Sequence, residues 1–434
     1  MANITSIVYY PIGLALFILE GWLLSRILPF HAKVHAAELE SNRLVPLDGL
    51  RGLLALGVFF THVLSYYYYH VSTKWDFPPC NWGAQLAVAP VCMFFYITGY
   101  LFWSKLRKTS IASIGRFWLS RVARLMPVYL FACAVAFLYA ASISNFAVRV
   151  PANELTGQLI SWIANIRMMD LNNVTDSHLW LVQAWTLRLE WMFYFCLPFL
   201  WRFARRLRYT LLLFCLVGVI TGIEQIAEKG ASVHDFATFA VAFPHFFLHT
   251  FSLGILVASL PLEGFSRIAR STIATIVSLV LMGAILLIVP PRYGVLETSV
   301  LSIPFTCICL GNTWWGLLSS RSMRFLGRIS YSFYLLHLVS FTIMMNMARN
   351  YGHLVDMGPL TYWALSCAIC TVIIVISAFS YQWLEYPFLH VGQIRNTFAV
   401  RKQTRSARDT AAAEVGVSGR KPATQNPETP PVGN

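Results

Sequence analysis

The sequence predicts an all-α protein, a polytopic transmembrane helical bundle of about ten core spans with one additional span at the N-terminus. Three observations predict it. Of 434 residues, 57 % are hydrophobic and 12 % charged, where a soluble domain carries roughly 25 % charged residues. Apolar stretches long enough to cross a bilayer, about 20 residues each, recur along the whole chain. Alternating strands of about ten residues, the mark of a membrane barrel, are missing, and inside lipid only helices or closed barrels satisfy the backbone.

The elements follow in order. Residues 6–30 form the first apolar window. Its Glu20 and Arg26 fit either a span or a helix lying at the interface, and the absence of Lys or Arg ahead of Arg26 argues against a cleaved signal peptide. Residues 1–46 are therefore read as an additional N-terminal span with a linker, and 47–388 as the main membrane domain. The windows near 47–70, 83–104, 127–144, 179–200, 209–227, 236–260, 271–290, 295–311, 329–348 and 361–384 supply the core spans. Pro127 is well placed to start the fourth window. Residues 145–178 make the longest loop on one side, long enough to cap an opening there. After 388 the composition turns polar and basic, too poor in apolar residues to bury a core, and 389–434 reads as a disordered tail.

Charge sets the orientation. Lys33 and Arg43, the group Lys105 to Arg124, Arg202 to Arg208, Arg267 and Arg270, Arg321 to Arg328 and the basic tail all fall in one alternate set of loops. The other set holds only Lys74, Arg149, Arg167, Lys229, Arg292 and Arg349. Cytoplasmic loops are the basic ones, so residues 31–46 and the C-terminus are expected in the cytoplasm of a protein integral to the plasma (inner) membrane. The net charge of +14 thus records topology; no basic face with interleaved aromatics points to nucleic acid. The nine cysteines lie mostly in apolar segments and imply no disulfide framework. Cys367 and Cys370 sit mid-helix without a neighbouring His, and His245 and His249 lack a third ligand, so no metal site is expected.

The most informative segment is LDGLRGLLALGVFFTHV, residues 47–63, which puts Asp48, Arg51 and His62 into an apolar span. Charged groups in hydrocarbon are costly and mark function by default. The step from Arg51 to His62 is within roughly 20° of three full turns, so both share a face, about 16 Å apart. A snorkelling Asp–Arg pair with one interhelical His fits the same spacing. Counted from the other side, Glu190 lies about 16 Å down the span that enters near Leu179, at the depth of His62. A carboxylate there would orient the imidazole as a general base for a hydroxyl group. Arg121 and Arg124, three apart, share a face near Arg51 and suit a phosphate ligand as well as they suit loop anchoring. Tyr334 and His337, also three apart, either line the same cavity or hydrogen-bond between helices.

These segments together resemble the acyltransferase 3 family of integral-membrane O-acyltransferases, from about Pro46 to Pro387. LDGLRG with Arg51 and His62 resembles the family's opening R-x10-H motif, MFFYITGYLF its FFVLSGFLI segment, and RVARLMP its R-x-x-R loop. WTLRLEWMFYFCLP is similar to WSLSVEEQFYLLFP, SYSFYLLH matches almost letter for letter, and EYPF at Glu385 to Phe388 resembles the terminal E-x-P. Arg188 stands where a small Ser is usual and Trp191 where a second acid is frequent, so only Glu190 carries over from that motif.

The resemblance implies an acetyl or other short acyl group moved from cytoplasmic acyl-CoA to a hydroxyl of a cell-surface saccharide or related acceptor. No permanently bound cofactor is implied, with acetyl-CoA or another acyl-CoA as co-substrate. It implies His62, Glu190 and Arg51 as catalytic residues, with Arg121, Arg124 and Arg51 on the CoA phosphates. Asp48, Tyr334 and His337 would support the substrate or the site, Tyr334 steadying the oxyanion. Direct transfer and an acyl-histidine intermediate both fit. The competing reading is a proton-coupled transporter of a small solute; its usual signature, broken helices in an internal repeat, is not visible in the sequence.

Overall fold

The computed structural model describes residues 4–39, 44–108, 114–204, 206–227, 244–291, 294–349 and 357–388. Among them the structure is helical, with a single isolated bridge between Leu171 and Val174. The helices are α1 (Tyr9–Ile27), α2 (Pro29–Leu39), α3 (Val45–Ser72), α4 (Asn81–Lys108), α5 (Ile114–Ile143), α6 (Ala152–Ile163) and α7 (Trp185–Ala204). They continue with α8 (Leu207–Ala227), α9 (Pro244–Ser259), α10 (Thr272–Leu287), α11 (Val295–Cys309), α12 (Arg321–Arg349) and α13 (Pro359–Ser380).

A helix occupies every apolar window read from the sequence, as far as the described residues reach; the first part of the 236–260 window, the linker at 40–43 and the tail lie outside them. Six helices, α1, α3, α4, α5, α12 and α13, are long and apolar enough to cross a membrane. A bent pair formed by α9 and the turns after it makes a seventh if it is one span, while the Leu207–Thr221 part of α8, α10 and α11 are apolar but shorter. The chain is a multi-pass helical membrane protein.

The bundle is built around α3, whose apolar window is 78 % buried, against 22 % for α1. Along one side α3 packs on α12 and along another on α4. Glycines set the first of these contacts. A Cβ at Gly49 would sit 1.9 Å from the Leu318 carbonyl oxygen, and one at Gly327 would sit 1.8 Å from that of Asp48. Neither distance is sterically accessible, so the glycines of the DGLRG segment and of α12 let two backbones touch, as small residues do between membrane helices. Asp48 therefore contributes its backbone to this crossing.

The peripheral α1 is fixed by polar contacts. Arg321 on α12 donates to the Ser25 hydroxyl (3.1 Å) and carbonyl (2.7 Å), Thr371 on α13 donates to Glu20 (2.6 Å), and Ser322 donates to the Ile18 carbonyl. Glu20 thus faces a neighbouring helix.

The start of α5 corrects one expectation. Pro127 lies inside α5, which begins more than three turns earlier at Ile114. Proline removes only one backbone donor, and packing neighbours hold such helices together in membranes. Arg116, Arg121 and Arg124 are consequently helical residues, held at fixed angles. A second irregularity sits at the far end, where one π-helical turn, Tyr381–Glu385, follows α13. The extra residue per turn rotates Glu385 inward, and it is 2 % exposed.

The long loop after α5 is tied down by its own polar groups. Asn172 donates to the Ser144 hydroxyl (3.1 Å) and the Ala147 carbonyl (2.8 Å), and Gln158 of α6 accepts from the Asn172 backbone at 2.8 Å. Asp170 pairs with His178 at 2.6 Å, and Tyr69 of α3 donates to Asp176. A 3-10 turn, Ser177–Ala184, then leads into α7.

Candidate functional site

The centre of the site is a histidine pair. His62 Nδ1 lies 2.7 Å from His337 Nε2, with the two rings 20° from parallel. The tautomers follow from the surroundings. His337 Nδ1 faces the backbone carbonyls of Tyr334 (2.8 Å) and Phe333 (3.2 Å); carbonyls only accept, so Nδ1 carries the proton. A neutral His337 then has its lone pair at Nε2, which accepts from His62 Nδ1–H. His62 Nε2 keeps a free lone pair, the arrangement a general base needs.

The partner of His62 differs from the sequence expectation. Glu190 was expected to orient the ring; it instead accepts hydrogen bonds from Thr98 (3.1 Å) and Tyr194 (3.2 Å). The estimate of depth held no lateral information. Glu190 sits on α7, which packs on α4, whereas α12 runs alongside α3 and brings His337 to His62.

Two cavities lie near the pair. One, of about 110 Å³, is lined by Arg51, Arg124, Glu190, Tyr194, Thr98, Tyr331 and Tyr334, with Phe94, Phe95 and Phe102 among its apolar walls. Arg121 stacks its guanidinium at 5.0 Å on Phe102, a lining residue of this cavity. Buried Glu385 lies behind it, 3.3 Å from the Ser332 hydroxyl that donates to it. Among the described residues neither Arg51 nor Arg124 forms an ion pair with a carboxylate, so their donors remain open to an anionic ligand. The other cavity, of about 390 Å³, lies toward the long loop and is lined by Tyr66, Tyr69, Trp75, Asp176, Trp180 and Asn346, among others. The His62 ring lies 6.1 Å from the ring of Trp75, on the wall of this larger cavity. His337 is held by the carbonyl of Tyr334, on the wall of the smaller one. Neither histidine is itself a lining residue of either cavity; Trp75 and Tyr334 are the neighbours that connect the pair to them.

The structure therefore brings Arg51, Arg124, Glu190 and Tyr334 to one cavity, sets Arg121 against its lining residue Phe102, and pairs His62 with His337. Asp48 is not among the lining residues. The Tyr334 hydroxyl donates to the Gln183 carbonyl (3.2 Å) and lies 3.1 Å from Thr186, so it braces the 3-10 turn; serving an oxyanion would require breaking that bond. Sequence reasoning missed Glu385, whose E-x-P motif was recognised but whose position depends on the π turn. It also left open whether His337 faced His62. The i, i+3 spacing with Tyr334 gave the face, and only the neighbouring helix could give the partner.

A family model described as an acyltransferase domain matches residues 45–380. No curated protein and no solved structure matches the chain. The match covers α3 through the end of α13, and so includes both histidines and every arginine of the smaller cavity. The chain belongs to the acyltransferase 3 family, and is a multi-pass membrane acyltransferase.

Proposed function

We propose that this protein moves an acetyl or other short acyl group from acyl-CoA to a hydroxyl of a saccharide or related acceptor. The observation that carries the reading is the His62–His337 pair, whose neighbours Trp75 and Tyr334 line two unlike cavities. The smaller is lined by Arg51 and Arg124 beside apolar and aromatic residues, which suits phosphates joined to a pantetheine arm. The larger is lined by tryptophan and tyrosine rings beside polar groups, which suits a sugar-like acceptor offering apolar faces and hydroxyls. On this reading the basic side is cytoplasmic, the C-terminus lies there, and the protein resides in the plasma membrane.

In the reaction, Arg51, Arg121 and Arg124 hold the CoA phosphates with charge-assisted hydrogen bonds. The acceptor hydroxyl lies against His62 Nε2, which takes its proton as the oxygen attacks the thioester carbonyl carbon. The carbonyl π electrons move to oxygen, then return as the carbon–sulfur bond breaks. The proton on His62 passes to the departing sulfur, which leaves as the CoA thiol. His337 keeps His62 in the tautomer that can start the cycle and stabilises the imidazolium through its lone pair. Glu190 acts from the donor cavity, where its negative charge offsets the arginines and keeps Thr98 and Tyr194 in place. Asp48 supports the helix crossing beneath Arg51. An acyl group resting on His62 Nε2 between two displacements uses the same residues.

The test is transfer of radiolabel from acetyl-CoA to envelope material in membranes carrying the wild-type chain or His62→Ala. Label that depends on His62 supports the reading. Solute uptake that depends on His62 without any label would replace it by the transporter.

A further inference from the structure

Beneath the N-terminal helices lies a second group of basic side chains, most of them buried, to which the transfer steps above assign no role. Arg321, Arg324 and Arg328 follow at i, i+3 and i+7 on α12, a spacing that gathers them on one helix face. The short helix α2 packs against α12 and contributes His31 and His35. His31 has no exposed surface, His35 has 7 %, and Arg324 and Arg328 have 8 % each. The His31 ring meets Phe325 edge-on at 5.0 Å. Burial, and then the charges of Arg324, Arg321 and Arg328, push His35 down to about 4; burial and Arg328 do the same to His31.

Some of these groups are spoken for. Arg321 donates to Ser25, and His31 Nε2 donates to the Ala378 carbonyl at 3.2 Å. Arg324 Nε, His31 Nδ1 and His35 Nδ1 are buried without a hydrogen-bond partner, and among the described residues no carboxylate pairs with Arg324. A guanidinium removed from water is strongly disfavoured unless an opposite charge and hydrogen bonds replace its hydration, and neighbouring cations add repulsion. Arg324, placed beside these rings, calls for an anion. The forked donors of arginine match the oxygens of a phosphate better than any other common anion of a membrane surface.

We propose that α2 and α12 together form a binding site for a phosphoryl group, covered by the N-terminal segment. Both α1 and α2 precede the matched residues 45–380, so the cover is an addition to the part of the chain that the family describes. Arg324 lies seven residues before Tyr331, which lines the smaller cavity, a rise of about 10 Å along the helix. Two sources of phosphoryl groups reach such a place: the nucleotide end of a CoA whose arm lies in that cavity, and the headgroup of an anionic lipid beside α1. The argument rests on buried charge and does not require the transfer reaction.

The experiment is a binding titration of the full chain, purified in neutral detergent. One arm uses CoA, the other phosphatidylglycerol in mixed micelles with phosphatidylcholine as control, at fixed ionic strength, with tryptophan fluorescence and the unfolding midpoint as readouts. At least one anionic probe is expected to bind, and Arg324→Gln to weaken it roughly tenfold or more, the scale of a charge-assisted hydrogen bond. Arg324→Lys, which keeps the charge without the fork, is expected to fall between. Loss confined to the CoA arm identifies the donor as the source, and loss confined to the lipid arm identifies the headgroup. Should Arg324→Gln fail to fold, His35→Gln tests the same site from α2 with the same expected loss. Affinities unchanged by these variants overturn the proposal, as does a wild-type chain that neither probe stabilises beyond the control. A chain that binds through Arg324 yet transfers no acyl group would keep this site and remove the transfer reading.

Discussion

Replacing His337 by alanine tests whether the histidine pair works as a tautomer lock. The substitution removes the acceptor at 2.7 Å from His62 Nδ1 and leaves that donor unpaired in a packed interior. The net value of the lost bond is about 0.5–1.5 kcal/mol, and a buried donor without a partner costs about 1–3 kcal/mol. The sum, about 1.5–4.5 kcal/mol, is also what favours flipping His62 to the opposite tautomer, whose lone pair points away from the acceptor. At about 1.4 kcal/mol per tenfold, kcat should fall ~10- to ~1500-fold. The KM for acyl-CoA should stay within about threefold, because the arginines of the donor cavity are untouched. His337→Gln can present an amide oxygen to His62 and should recover at least tenfold of the loss. The assay is label transfer from acetyl-CoA in membranes at matched protein amounts, after size-exclusion of the solubilised chain has shown that each variant folds. A His337→Ala enzyme within threefold of wild type would refute the lock, and so would a glutamine variant no better than alanine.

Three further outcomes are expected. Arg121→Ala combined with Arg124→Ala should raise the acyl-CoA concentration needed for half-maximal transfer by about tenfold or more while leaving kcat within a few-fold, since these donors act on binding rather than on the reacting atoms; steady-state kinetics reads this directly. Gly327→Ala puts a methyl group where only 1.8 Å separates the Cβ position from the Asp48 carbonyl oxygen. The forced separation of α3 and α12 should cost about 1–3 kcal/mol, seen as a lower unfolding midpoint in detergent. At Asp170, burial acts to raise the carboxyl, but hydrogen bonds from the His178 side chain and backbone and from the Asp176 backbone outweigh it and hold the group below its ordinary value. Its contribution is therefore present above the ordinary carboxylate range and is lost as pH falls through the lower, folded value. Limited proteolysis of the 145–178 loop should accelerate there, and Asp170→Asn should remove that dependence.

The helices were legible because lipid leaves no other choice for an apolar run of this length, and among the described residues each window holds a helix. Their ends were less so. The residues from Arg116 to Arg124 read as a loop by charge, yet they form the first turns of α5, because guanidinium groups that face a cavity or an interface do not interrupt a helix. The placement of Arg51 and Arg124 in one cavity could be read from motifs that recur in the family. The lateral neighbour of His62 could not. Depth along the membrane normal is encoded in residue count, but which helix stands beside α3 is encoded in glycine contacts such as Gly49 with Leu318, and these carry no sequence period of their own. Glu385 was hidden for a related reason, since a π turn adds one residue to a helix without any residue type that announces it.

The stacked His62 and His337 rings also bear on what an acyl group would cross. If CoA occupies the smaller cavity and the acceptor the larger, the two carriers never share a chamber, and only the acyl group passes from one to the other beside His62. Chain length would then be set by the gap at His62, and a variant that widened it would trade selectivity for hydrolysis of the thioester by admitted water.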